Sequence, residues 1–326
     1  MQAMYKLNKI YTDTITRSNT WSEKTSFIDL KYKYKYRNRL FNSLQNAIYL
    51  SRIVNFDDIL ILSDNNILVG HLLGLIFNKR TTRPTFIRLD PLIYLPKYRL
   101  KEKFLKQSFN SVDLFIVWAP TIIHRYSEYF NIPRHKFKDC PFFNTIEGYD
   151  ISYSINEYRV FSGGDSMRDY NTLFQAFDNL NIKMKIDTRL NIQSYNPYID
   201  IASVTNNEFR DHMSSIPVHI YPLDMKHLRT SGQQSYLNSM ALGKAVIVTD
   251  TEDASYYIKN GYNGLLTPSG DVTILRNKIL DLLSNPEMIT ELGNNAKQYA
   301  VNMTQENTYT KVLAYAIETH GIKYQT

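Results

Sequence analysis

Short apolar runs alternate with amphipathic stretches along this chain, first over residues 8–139 and again over residues 158–302, and this repeat constrains the fold more than any other feature. Four or five consecutive apolar residues suit a strand buried on both faces, and an amphipathic stretch after each suits the crossover helix that parallel strands need. The pattern therefore predicts an α/β chain built as two Rossmann-like, doubly wound parallel-sheet domains. In the first half it predicts strands at 8–11, 26–30, 58–62, 85–89, 113–117 and 136–139, with helices at 38–54, 67–77, 98–109 and 120–130. In the second it predicts strands at 158–162, 183–187, 217–221, 244–249 and 264–266. Helices are expected there at 168–180, 206–214, 233–242, 254–259, 272–283 and 286–302, and a last one at about 307–320.

A chain of 326 residues exceeds the usual single domain, which agrees with two halves. The polar stretch Asn144–Asn156 reads as a linker, which gives a first domain at 1–150, a second at 151–305 and a C-terminal helix at 306–326 that returns toward the first. Open parallel sheets bind ligands beyond the C-terminal ends of their strands, so two such domains are expected to face each other across a ligand-binding cleft.

Charge divides unevenly between the halves. Residues 1–150 hold 23 Lys and Arg against 13 Asp and Glu, whereas residues 151–326 hold 15 against 18. The basic half suits an anionic partner, a phospholipid surface or a polyanion such as nucleic acid; a merely solvated basic surface gives the same count. Within it, Lys31–Phe41 alternates cations with tyrosines, a pattern for lipid headgroups or nucleic acid and equally for an edge strand guarded by lysines. The single Cys140 excludes an intrachain disulfide and thiolate metal clusters, and no paired histidine spacing suggests a metal ligand set. The first residues lack the apolar core of a secretory signal and no 18-residue apolar run occurs, so a cytoplasmic protein, at most peripheral at a membrane's inner face, is expected.

The richest chemical segment is Thr230–Gly243. Its small, polar loop opens directly into a helix, so amide N–H groups from about Gln233 to Ser235 should be free to hold a diphosphate at the positive helix end. Ser231 and Gly232 border that site; Gly232 permits close approach, and Asn238 shares a helix face with Gln234. Read without its flanks, the segment is equally a capped amphipathic helix.

The flanks make it more specific. Met240–Lys244 (MALGK), Val246–Asp250 (VIVTD) and Asn263–Asp271 (NGLLTPSGD) follow in the order and spacing of a donor-binding region, and about 40 residues resemble that region of the family-4 retaining glycosyltransferases of the GT-B fold. Phe161–Leu173 (FSGGDSMRDYNTL) resembles the first strand of the family's donor domain, its glycine turn and its phosphate-binding basic residue. That resemblance places Gly163, Gly164 and Arg168 at the donor. A guanidinium offers phosphate a planar fork, although Arg168 could instead pair with Asp165 or Asp169. The chain departs from the family where two glutamates are usual, since Thr230 and Asn238 stand at those positions. In the first half, Asp90 ends a strand where relatives carry a polar residue facing the cleft, and Asp64 ends the preceding one. Either is a candidate for orienting sugar hydroxyls, or simply a turn residue.

The resemblance implies metal-independent transfer of a hexose from a UDP- or GDP-sugar, with retention, to a glycan or lipid-linked acceptor. No cofactor is expected, Arg168 and Asp90 are the catalytic candidates, and nucleic acid ranks behind lipid as the partner. The alternatives are a DNA-modifying glycosyltransferase, a nucleotide-sugar epimerase or hydrolase, and a sugar-nucleotide-binding protein that has lost catalysis.

Overall fold

The computed structural model describes residues 8–30, 39–63, 66–91, 98–146, 157–224, 232–251 and 253–323. The chain divides into two compact units: residues 1–141 with 305–326, and residues 142–304.

Unit 1 is built on a six-stranded parallel sheet in the order β2-β1-β3-β4-β5-β6. The strands are β1 (Ile10–Thr12), β2 (Ser26–Phe27), β3 (Ile59–Leu62), β4 (Thr85–Leu89), β5 (Leu114–Val117) and β6 (Phe137–Asp139). Central β3, β4 and β5 are buried at every residue, which is why they read as continuous apolar runs. Helices α1 (Asn19–Lys24), α2 (Arg39–Ile53), α3 (Ile67–Phe77), α4 (Arg99–Phe109) and α5 (Thr121–Phe130) connect them. Helix α1 was not foreseen, because its one buried residue, Trp21, gives no period to detect.

Unit 2 carries a second parallel sheet, in the order β12-β11-β10-β7-β8-β9. Its strands are β7 (Val160–Gly163), β8 (Met184–Asp187), β9 (Ile199–Ala202), β10 (Val218–Tyr221), β11 (Ala245–Thr249) and β12 (Leu265–Thr267). The helices are α6 (Tyr170–Ala176), α7 (Asn206–Ser215), α8 (Gln233–Ala241), α9 (Ala254–Tyr257), α10 (Val272–Ser284) and α11 (Pro286–Ala300). From β7 the chain moves outward through β8 to β9, then returns to the other side of β7 for β10, β11 and β12. The C-terminal ends of β7 and β10 thus flank the point where strand order reverses, the natural crevice of such a sheet.

Three expectations need correction. Strand β9 was missed: it is an edge strand with one buried and three half-buried residues, too polar to stand out. Helix α6 is shorter than the predicted 168–180. Arg168 bridges Leu223 in antiparallel fashion, which holds the chain extended before the helix, and Asn179 adopts φ +57 beyond its end. The expected linker at Asn144–Asn156 begins inside unit 2, where buried Asn144 donates from Nδ2 to the carbonyls of Ala300 (3.0 Å) and Met303 (2.9 Å). Residues 147–156 lie outside the described residues.

The last helix, α12 (Gln305–Lys323), belongs to unit 1. Its first turn carries Glu306, which accepts the Thr20 N–H at 3.3 Å, and Tyr309 meets the ring of Trp21 at 4.8 Å. At its far end His320 contacts the Thr85 hydroxyl at 2.9 Å, and Lys323 donates to the Pro84 carbonyl at 2.8 Å. Among the described residues no helix is long and apolar enough to cross a membrane.

Candidate functional site

The loops that follow β7 and β10 meet at the reversal point of unit 2. The first is Gly164–Asp169. Gly164 has φ +109, a conformation open to glycine, and a Cβ there would lie 2.6 Å from Arg168 Nη2. Met167, at φ +53, makes a left-handed turn just before Arg168. Two backbone bonds pin this turn to the segment after β10: Asp224 N–H donates to Met167 O (3.0 Å) and Asp169 N–H to Pro222 O (3.1 Å).

Arg168 is half-buried and held from three sides. Its Nε donates to Gly163 O (3.0 Å), Nη1 to Ser166 O (2.9 Å) and Nη2 to Ser235 Oγ (2.7 Å), while its guanidinium carbon sits 5.6 Å from the centre of the Tyr221 ring. The two carboxylates weighed as its partners are committed elsewhere. Asp165 pairs with Arg189 and Thr188, and Asp169 caps α6 through the Thr172 N–H. Burial lowers the Arg168 pKa, with Tyr170, Tyr221 and Asp165 opposing the shift. Among the described residues, three of the five guanidinium N–H groups are engaged, all with neutral acceptors, which leaves donors and charge for an anion.

The N-terminus of α8 supplies the rest. Gly232 is its N-cap at φ +78, with no side-chain cap, and a Cβ on it would come within 2.9 Å of Leu223 Cδ2. Ser235 N–H, expected to be free, donates to Gly232 O at 2.9 Å in a tight first turn, so among the described residues the candidates for an anion narrow to the amides of Gln233 and Gln234. Gln233 itself is buried, and its side-chain Nε2 has no hydrogen-bond partner among the described residues. Ser231 and Thr230 lie outside the described residues, as do Lys226 and His227.

Asn238 and Gln234 do share a face of α8, and both turn to Thr145. Thr145 N–H donates to Asn238 Oδ1 (2.7 Å), Asn238 Nδ2 to Thr145 Oγ1 (3.0 Å), and Gln234 Nε2 to the same hydroxyl (3.1 Å). Asn238 is buried, and its amide is engaged within unit 2. Gly163 faces Phe209, 2.7 Å from where its Cβ would be, so it packs α7 against the sheet end.

A cavity of 620 Å³ opens beside Arg168, lined among others by Asp169, Tyr170, Leu190, Ile192 and Asp224. That volume suits a small-molecule ligand, and its mix of two aliphatic side chains with polar groups suits a flat polar ring.

Residues 235–299 match the family described as glycosyl transferases group 1. The match begins at Ser235, inside α8, and runs through β11, β12, α10 and most of α11. An uncharacterized glycosyltransferase of Methanocaldococcus jannaschii is 34% identical over 70 residues, which is 22% of this chain and 20% of that relative. Among solved structures, the Anabaena HepE in complex with UDP and glucose superposes with a TM-score of 0.68 at 12% identity, covering 87% of this chain and 84% of HepE. A glycosyltransferase of Rickettsia africae gives 0.65 at 14% identity, with 91% and 86% covered. TarM gives 0.64 at 14%, and the chain spans 59% of TarM's length. The two units thus have the fold of GT-B glycosyltransferases.

The other two candidates belong to the first half of the chain. Asp90, in unit 1, directly follows β4 at φ +42, with its N–H donated to Ile116 O at 2.7 Å. Asp64 lies outside the described residues. Sequence reasoning missed Tyr221, Thr145 and the side chain of Ser235. Tyr221 ends β10 at the mouth of the sheet, a position that could have drawn notice.

Proposed function

We propose that the protein transfers a hexose from a nucleotide sugar to a glycan or lipid-linked acceptor, with retention and without a metal. One observation carries the reading: Arg168, hydrogen-bonded to no carboxylate among the described residues, is set through Ser235 against the first turn of α8, where Gln233 and Gln234 follow the uncapped Gly232. As the nucleotide departs, negative charge grows on its diphosphate, and a guanidinium with a helix N-terminus stabilises that charge more in the transition state than in the ground state. The adjacent cavity would take the nucleoside. UDP is the first nucleotide to test, because HepE, which shares the fold, is known in complex with UDP. Retention and the hexose rest on the resemblance of the donor-binding segments to family 4.

The acceptor would meet unit 1, where Asp90 is proposed to orient a sugar hydroxyl. Exposed Arg39, Leu40 and Phe41 on α2, and Tyr98, Arg99, Leu100, Lys101 and Lys103 at α4, mix cations with apolar side chains. That mixture favours a lipid-linked acceptor at an anionic membrane over nucleic acid.

A panel of UDP-, GDP- and ADP-sugars in thermal unfolding tests the donor site. One nucleotide class should raise the melting temperature, and Arg168→Ala should reduce that shift at the same ligand concentration while leaving weaker, measurable binding. If no nucleotide stabilises the wild type, or the variant responds equally, the reading fails. A non-catalytic sugar-nucleotide binder is the second reading, favoured by Thr230 at a glutamate position and by the engagement of Asn238 with Thr145. It predicts the same stabilisation with no transfer to any acceptor.

A further inference from the structure

Beneath Arg168 runs a chain of buried polar side chains that the nucleotide-binding reading does not use. Tyr221, His219 and Ser239 are all fully buried. Tyr221 presents its ring to the guanidinium, and its hydroxyl lies 2.7 Å from Ser239 Oγ. Ser239 Oγ is in turn 2.6 Å from His219 Nδ1. Burial lowers the His219 pKa to about 3, so its ring is neutral. Its Nε2 lies 3.1 Å from the Ile216 carbonyl and must donate there, which leaves Nδ1 as an acceptor.

The shortest contacts select one proton arrangement over that in which Tyr221 O–H reaches His219 Nδ1 at 3.4 Å. Ser239 O–H donates to His219 Nδ1, and Tyr221 O–H donates to Ser239 Oγ. The Ser235 carbonyl, 3.0 Å from Ser239 Oγ, is the longer and weaker alternative. A phenol that donates its proton gains electron density on its ring, which strengthens the face toward a cation. Ser239 also stands one helical turn after Ser235, whose hydroxyl takes Arg168 Nη2, so helix and strand grip the guanidinium from two sides.

We propose that His219, Ser239 and Tyr221 form a positioning relay that holds Arg168 in the orientation needed to bind a diphosphate. The proposal rests on the reading of Arg168 as the donor-phosphate cation. None of the three touches the ligand; each acts through Arg168.

Calorimetric titration of UDP tests it, with unfolding of each ligand-free variant as the control for folding. Tyr221→Phe retains the ring and should weaken UDP binding about tenfold, the effect of one buried hydrogen bond. Ser239→Ala should match it. His219→Gln, which can still accept from Ser239, should bind more tightly than His219→Leu. The deciding measurement is Tyr221→Phe placed on Arg168→Ala. A relay acting through Arg168 predicts no further loss in the double variant, whereas a general structural role predicts an additive one. Wild-type affinity in both Tyr221→Phe and Ser239→Ala, or additivity in the double variant, overturns the relay. Should Tyr221→Phe fail to fold, the same cycle with Ser239→Ala decides. If Arg168→Ala itself binds UDP as wild type does, the underlying reading fails, and the failure is distinguishable from that of the relay.

Discussion

Arg168 is placed for anion binding by backbone geometry more than by its neighbours' charges. Gly164 and Met167 both take positive φ angles on either side of Asp165 and Ser166, and the arginine side chain folds back over the turn to reach Gly163 O. The glycine was legible in the sequence, since paired glycines after a strand announce a sharp turn. Met167 was not, because a methionine at φ +53 has no sequence mark; two backbone bonds to Pro222 and Asp224 impose it. Gly164→Ala separates fold from function at this turn. The new Cβ would lie 2.6 Å from Nη2, the movable end of a side chain, so the guanidinium shifts rather than the sheet. Left-handed strain should cost about 1–2 kcal/mol in urea unfolding, while UDP affinity should fall as far as in Arg168→Ala. Equal affinity in Gly164→Ala and wild type would show that the guanidinium's present orientation does not matter.

The elements most readable in advance are those whose residues are buried on all sides. Strands β3, β4 and β5 and helix α3 lie within a residue of their expected bounds, because apolar continuity and packing select the same residues. The buried polar groups on these elements were not readable, since burial depends on neighbours distant in sequence. His71 of α3 is one. It sits against Ser108 of α4 at 3.2 Å, between the rings of Phe104 and Phe109. Burial first, then the charges of Arg88 and Lys101, lowers its pKa from 6.5 to about 3. In that window the unfolded chain binds a proton that the folded one refuses, so stability is full above pH 6.5 and falls as pH drops toward 3. From pH 6.5 to pH 5 the loss is about 2 kcal/mol for this residue. His320, whose pKa burial also lowers, adds a loss of the same sign in the same unit. Both tryptophans, Trp21 and Trp118, lie in unit 1, so their fluorescence in urea reports this unit. His71→Leu should flatten the pH dependence of the midpoint; an unchanged slope would place the acid-sensitive group elsewhere.

At the scale of the whole chain, unit 1 is discontinuous in sequence: its sheet is complete by Asp139, and α12 joins it only after all of unit 2 has been threaded. The alternation of strands and helices reveals two units but not the ownership of a terminal helix, which follows from what that helix covers. Here it covers α1 and the sheet, with Trp21 1% exposed beside Tyr309 and with Val312 and Ala316 fully buried. A chain ending at Thr304 should therefore expose Trp21 and shift its emission to the red, and the urea midpoint reported by tryptophan should fall. The proposed donor site draws Gly164, Arg168, Tyr221, Gly232 and Ser235 from unit 2 alone. The shortened chain should then bind UDP within about threefold of the full chain, a difference under 1 kcal/mol. Loss of UDP binding together with the red shift would mean that the nucleotide site depends on α12, and the assignment of donor recognition to unit 2 by itself would be wrong.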